Sequence, residues 1–328
     1  MTKDERRRWG SFALATTLSV AAYHLSVFGG FFLLPLQWVR QRQGESSFWV
    51  AAVLASVGIG VVEAVVKSLM HSPWSLLDAA VIGLPLLLIA GWVVIVALER
   101  LGWRFLYRLL TVTAVTGLIL FPLIASLLRQ EAVVQVVQRS FDELWTLVLQ
   151  TPGLQSAGLV GQLNKAEFFD FLKQAFLGSF LSVFFLFWAF NGWLSRVFVP
   201  VAERRTLKDF FVPSQGAWIL LGLWGLVLVK FLLALKGIAW KWGDLEYVVA
   251  NVAFIVLVVH VAAGWGILQV LMDQWKIPRL GQGAARILMI VLLVTSVAGT
   301  WLVLGGLAAL AVLELWVNFR KRTQGVEI

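Results

Sequence analysis

Apolar runs of about twenty residues recur along this chain from Ser11 to Phe319, separated by short polar breaks that hold most of its positive charge. A hydrocarbon layer about 30 Å thick needs roughly 20 helical residues to cross it. Residues 48–70 contain only Glu63 and Lys67 as charges, residues 75–98 only Asp78, and residues 214–235 only Lys230. No water-soluble core requires so many separate spans of this kind. The pattern predicts an all-α polytopic transmembrane helix bundle, a single integral membrane domain over residues 1–328. Clear single crossings fall near 48–70, 75–98, 107–128, 169–193, 214–235 and 247–271.

Residues 11–39 and 286–319 are each long for one crossing, and each contains a breaker. Gly29-Gly30 and Pro35 interrupt the first run, and Gly305-Gly306 the second. Charge decides between one pass and two. If both runs cross twice and both termini are cytoplasmic, the clusters Lys3–Arg8, Arg40–Arg42, Arg100–Arg108, Arg196–Lys208, Lys276–Arg286 and Arg320–Arg322 share the cytoplasmic side. A single pass of 11–39 would translocate Arg100–Arg108 and Arg196–Lys208 and largely reverse that bias. The expectation is about eight to ten membrane segments, the long runs each forming paired half-helices held away from lipid. Residues 129–167 then face outward. Val133, Val137, Phe141, Leu144, Trp145 and Val148 recur at helical spacing opposite Gln135, Gln138, Asp142 and Glu143. This predicts an amphipathic extracytoplasmic insertion that lies on the membrane surface, caps the bundle or closes over a substrate, with its helix ending near Thr151-Pro152-Gly153.

Composition agrees. The chain has 328 residues, 60% hydrophobic and 14% charged, whereas soluble domains carry about 25% charged residues. The net charge of +9 is spread in clusters between apolar runs rather than gathered on one basic face, which argues against nucleic-acid binding. The absence of cysteine excludes disulfides, thiolate metal sites and thiol nucleophiles. Many of the 17 tryptophans lie near run ends (Trp9, Trp38, Trp49, Trp74, Trp103, Trp193, Trp240, Trp242 and Trp275), as an interfacial belt requires. Lys3–Arg8 before an apolar run resembles a signal peptide but lacks a cleavage site leading to a soluble domain, so it reads as a retained first helix. Zincin, nucleophile-elbow and Walker motifs are missing, so the chain does not read as an enzyme and any ATP must be used by another subunit. His24, His71 and His260 are too scattered for a sequence-local metal site, and no cofactor is implied.

Ionisable groups inside spans are the natural site candidates, because their burial in lipid is expensive. Glu63, Lys67 and His71 are spaced four apart along one helix face. Asp78, Lys230 and Asn251 fall toward the same, outer, half in the predicted orientation, with Tyr23 and His24, and His260 lies near mid-membrane. Together Glu63, Lys67, His71, Asp78, Lys230, Asn251 and His260 form a candidate site for a small solute loaded from outside. Structural alternatives stand beside it. Glu63 and Lys67 can neutralise one another, Lys67 and Lys230 can snorkel, Asn251 can tie helices together, and His260 can be a packing residue. Ser11, Ala15 and Ser19 form a small-residue stripe fit for a partner subunit or a neighbouring helix.

The C-terminal third carries Phe210-Phe211-Val212-Pro213 before a span containing Trp218, then Asn251, a Gly264-x-Gly266 region with Gln269, Lys276-Ile277-Pro278-Arg279 and the closing Asn318-Phe319-Arg320-Lys321-Arg322. This order resembles the YybS-like family of bacterial multi-pass membrane proteins, a domain of unknown function. The resemblance implies a bacterial cytoplasmic membrane location. It also implies distant kinship to the substrate-binding components of energy-coupling-factor vitamin transporters, which work with separate ATPase and coupling subunits docked through small residues of the first helix, here Ala15 and Ser19. Two functional expectations follow: a solute-binding membrane component of such a transporter, or a non-catalytic scaffold organising cell-envelope partners within the lipid bilayer.

Overall fold

The computed structural model describes residues 3–25, 29–71, 76–150, 164–199, 207–238, 243–317 and 319. The expected helix end at Thr151-Pro152-Gly153, the belt residues Trp74, Trp240 and Trp242, and the terminal Asn318 and Arg320–Arg322 lie outside the described residues. Among those described are eleven α-helices and no strand. They are α1 (Lys3–His24), α2 (Leu34–Gln43), α3 (Glu45–Leu69), α4 (Leu76–Glu99), α5 (Phe105–Leu127), α6 (Glu131–Gln150), α7 (Lys165–Leu194), α8 (Ser214–Leu235), α9 (Leu245–Gln274), α10 (Arg279–Thr295) and α11 (Val297–Val317). Seven of these, α3, α4, α5, α7, α8, α9 and α11, are long and apolar enough to cross a bilayer. The chain is therefore an all-α multi-pass membrane protein. Each of the six single crossings read from hydropathy corresponds to one helix. Outside the group of seven, α1 begins with Lys3–Arg8, α2 has 10 residues, α10 has 17, and α6 is strongly amphipathic.

The chain falls into two compact units. The first comprises Met1–Ala175 with Val183–Glu203, and the second Phe176–Ser182 with Arg204–Ile328. In the first unit the run 11–39 is folded back on itself. Gly29–Phe31 forms a 3-10 turn after α1, and Pro35 occupies the first turn of α2, where its missing N–H costs nothing. The α1 and α2 helices pack on each other and both pack on α3. Ser19 Oγ donates to the Phe32 carbonyl and closes the bend. His24 at the end of α1 meets Glu63 late in α3, whereas Arg40 near the end of α2 meets Glu45 at the start of α3, so the chain returns to the side it left.

Close approaches of α7 to its neighbours in this unit are made at glycine. A Cβ on Gly91 of α4 would overlap the Trp188 indole of α7, whose Nε1 donates to the Leu88 carbonyl at 3.0 Å. A Cβ on Gly192 would collide with the Phe105 ring. The amphipathic α6 covers the start of α7. Its buried Phe141 and Trp145 meet Phe168 and Phe169 in tilted and edge-to-face contacts, and Asp142 pairs with Lys165 at 2.8 Å. Leu144 and Leu147 on the same helix stay exposed.

In the second unit α9 is the central element and packs against α8, α11 and the 3-10 turn Leu207–Asp209. The α9–α11 crossing is close because Gly264 has no side chain: a Cβ there would fall on the Leu307 carbonyl. By contrast α8 keeps only 6% of its most apolar window buried, so most of its surface is left to the bilayer.

The second long run also folds back, but not where expected. Gly305-Gly306 lies within α11 and the chain breaks at Ser296, which is extended (φ −153, ψ 144). Two adjacent glycines weaken a helix, yet opening it in hydrocarbon would strand backbone groups that no water can satisfy. The break sits where hydroxyls can replace the lost bonds. Ser296 Oγ accepts from Gly299 N at 2.9 Å, and Thr300 Oγ1 reaches the carbonyls of Leu293 (2.8 Å) and Ser296 (3.0 Å). The returning helix, α11, has 21 residues and is a full span rather than a half-helix. Its end meets the end of α9, where Gln274 donates to the Phe319 carbonyl at 3.1 Å.

Candidate functional site

The polar residues of α3 and α4 in the first unit are paired across helices rather than along one. Glu63 faces His24 Nδ1 at 3.5 Å, and Lys67 Nζ meets Asp78 Oδ2 at 2.7 Å. All four side chains are a quarter exposed or less apart from His24, which is only slightly more so. The i,i+4 pairing of Glu63 with Lys67 read from spacing gives way to these partners, an imidazole for Glu63 and a carboxylate for Lys67, both supplied by neighbouring helices. Tyr23 extends the group by donating to the Val81 carbonyl at 2.8 Å. His71 stands apart: it is exposed, adopts φ 50 just beyond α3, and its Nδ1 lies 3.0 Å from the Leu69 carbonyl. It is a helix-ending residue whose backbone N–H bonds Ser68 O.

At the opposite end of α3 and α4 lies an ionic network that spacing alone did not single out. Glu99 accepts from Arg108 and pairs with Arg40 at 3.1 Å, while Glu45 pairs with Arg40 and Arg100. The guanidiniums of Arg100 and Arg108 also lie over the Trp49 and Phe105 rings. The signal was present in the sequence as Arg40, Arg42 and Glu45 around the α2–α3 junction and Glu99, Arg100, Arg104 and Arg108 around the α4–α5 junction. The start of α1, which carries Lys3–Arg8, is on this side, since α1 ends at Glu63.

The remaining candidates belong to the second unit. Lys230 pairs with Glu246. Asn251 is fully buried and its amide is completely engaged: Oδ1 accepts from Leu181 N (2.8 Å) and Ser182 N (3.3 Å), and Nδ2 donates to the carbonyls of Leu177 (2.7 Å) and Tyr247 (2.8 Å). Ser182 Oγ returns a bond to the Asn251 carbonyl. An amide mimics a peptide unit, which is why one Asn can serve a whole turn of α7. His260 is also buried. Its Nδ1 lies 2.8 Å from the Val256 carbonyl and must carry the proton there, leaving the Nε2 lone pair without a partner beside Gly216.

The small-residue stripe of α1, Ser11, Ala15 and Ser19, faces helices of its own unit: Ala15 and Ser19 are fully buried and Ser11 is half-buried. These positions let α1 approach its own neighbours. The same contact uses Gly58 of α3, where a Cβ would crowd Val20.

Two open grooves mark the surface. One of about 480 Å³ in the first unit is walled by α1, the 3-10 turn, α2 and Phe198. One of about 390 Å³ in the second unit runs between α9, α10 and α11. Both are lined almost wholly by apolar atoms, and none of the seven polar candidates lines either. No cluster of three or more metal-ligating side chains forms among the described residues. Comparison with protein-family models, with curated proteins and with solved structures gives no match for this chain.

Proposed function

We propose that this protein is a membrane-embedded scaffold or accessory subunit that organises other proteins of a bacterial cytoplasmic membrane. One observation carries the reading: the charged candidates inside the spans and the Asn251 amide are each engaged by groups of the chain itself. Glu63 is held by His24, Lys67 by Asp78 and Lys230 by Glu246, and the Asn251 amide is saturated. A polar solute needs convergent groups left available in a concave lining, whereas both grooves are apolar. A cytoplasmic N-terminus is supported by the shared end of Lys3–Arg8, Arg40, Arg100 and Arg108.

The alternative, a solute-binding component working with separate ATPase and coupling subunits, is favoured by His24 and His260, imidazoles that each keep one buried ring nitrogen without a partner. Native mass spectrometry of the gently extracted protein separates the two. The scaffold reading expects fixed-stoichiometry complexes with other membrane proteins, and no retained polar small molecule. A water-soluble molecule bound one to one, and lost on Glu63→Gln or His260→Ala, overturns it.

A further inference from the structure

We propose that the trench between α9, α10 and α11 is a binding site for an anionic phospholipid, with the lipid phosphate on Arg286 and one acyl chain along the trench. The inference needs only the membrane placement of the chain and holds for either functional reading. The trench walls include Val258, Ala262, Trp265, Met289 and Leu293, and Arg286 is its single charged lining residue. An apolar channel with one cation at its edge has the polarity of an amphiphile, with opposite chemistry at its two ends.

Arg286 makes no hydrogen bond or ion pair in the described structure. The acid whose field it shares, Asp273, is already held by Lys208 and Gln282. Beyond Arg286, α10 is uninterruptedly apolar from Ile287 to Val294, and Ile287, Ile290 and Val294 are exposed. An exposed, unpaired guanidinium at the head of such a stretch is placed to meet an anion at the membrane surface, where the abundant anion is the lipid phosphate.

The charge around the trench favours an anionic lipid over a zwitterionic one. Arg279 opens α10 and lies two turns before Arg286 on the same face, Lys276 precedes it, and the first turn of α10 has no acid. A zwitterionic headgroup brings its own cation into that field, whereas phosphatidylglycerol does not. The volume of about 390 Å³ suits a chain segment and is too small for a protein helix to enter.

The test is native mass spectrometry of the full-length protein in detergent, titrated with phosphatidylglycerol or phosphatidylcholine of matched chains. Wild type is expected to retain phosphatidylglycerol preferentially. Arg286→Gln should weaken that adduct roughly fivefold, since a basic residue near an anionic surface is worth about 1 kcal/mol, and Arg286→Lys should retain part of the preference. Ala262→Trp, which fills the trench, should remove both lipids. Glycerol phosphate, a headgroup without a chain, should not displace the lipid at millimolar concentration. Equal retention of the two lipids, an unchanged preference in Arg286→Gln, or displacement by glycerol phosphate overturns the proposal. Should a variant fail to fold, a phosphatidylglycerol with a photoreactive chain answers on the wild type. Adducts on Met289 or Trp265 support the site, and adducts confined to other helices refute it.

Discussion

Pro85 lies inside α4 and has no N–H, so the carbonyl of Val81, four residues earlier, has no helical donor. Tyr23, at the end of α1, fills the gap with its hydroxyl at 2.8 Å. Tyr23→Phe removes only that donor and keeps the ring, with its edge contacts to His24 (5.1 Å) and Phe32 (5.7 Å). Leaving an acceptor unsatisfied away from water costs about 1–3 kcal/mol. Val81 is at the surface of the unit, which places the expected loss near the lower end. Pro85→Ala supplies the missing N–H, so in that background Tyr23→Phe should cost close to nothing. The coupling between the two positions is then about 1 kcal/mol. Unfolding in mixed micelles, followed by far-ultraviolet circular dichroism, measures all four corners of the cycle. An equal cost of Tyr23→Phe in both backgrounds refutes the hydrogen-bond argument, because the tyrosine would then act through packing alone.

Other substitutions test the remaining contacts. Asn251→Leu should destabilise the protein by about 2–4 kcal/mol, at roughly 1 kcal/mol for each amide bond removed, in the same unfolding assay. Gly264→Ala should cost about 1–3 kcal/mol or more, since the Leu307 backbone cannot retreat, whereas Gly305→Ala and Gly306→Ala meet open space and should be neutral or stabilising by up to about 1 kcal/mol. Ser296→Ala should cost about 1 kcal/mol by removing the cap on Gly299 N. Glu99→Gln should cost about 1 kcal/mol at low salt and less at high salt, because Glu99 joins Arg40 and Arg108 but is half exposed.

Hydropathy located the spans because length and apolarity are local properties. The ends of α3, α4, α5, α8 and α9 fall within a few residues of the predicted crossings. The fold-back of residues 11–39 was legible from charge, since only a return pass puts Arg40 on the side where α1 begins. What composition could not show was which helices supply partners. Spacing offers Glu63 only its own neighbours at i+4, yet His24 lies on another helix, far away in sequence, and takes the contact. The same limit hid which helix Asn251 ties to α9, because its partners outside α9 are mostly backbone groups of α7 that carry no residue identity.

The misplaced break in the second long run has a related cause. Glycine marks a weak helix when water competes for the backbone, so Gly305-Gly306 looked like the hinge. In lipid the criterion changes: a helix ends where other donors and acceptors can take over, and Ser296 with Thr300 provides them locally. Gly264 shows the other use of glycine in the same unit, admitting a neighbouring backbone without interrupting its own helix. Paired glycines, Gly pointing at a carbonyl and hydroxyl residues thus mean different things in a bilayer than in water. The Tyr23–Pro85 relation follows the same rule, with a hydroxyl from a second helix in place of one nearby in sequence. A search of membrane spans for each proline's orphaned carbonyl, and for the hydroxyl or amide that reaches it, would find contacts of this kind that hydropathy alone passes over.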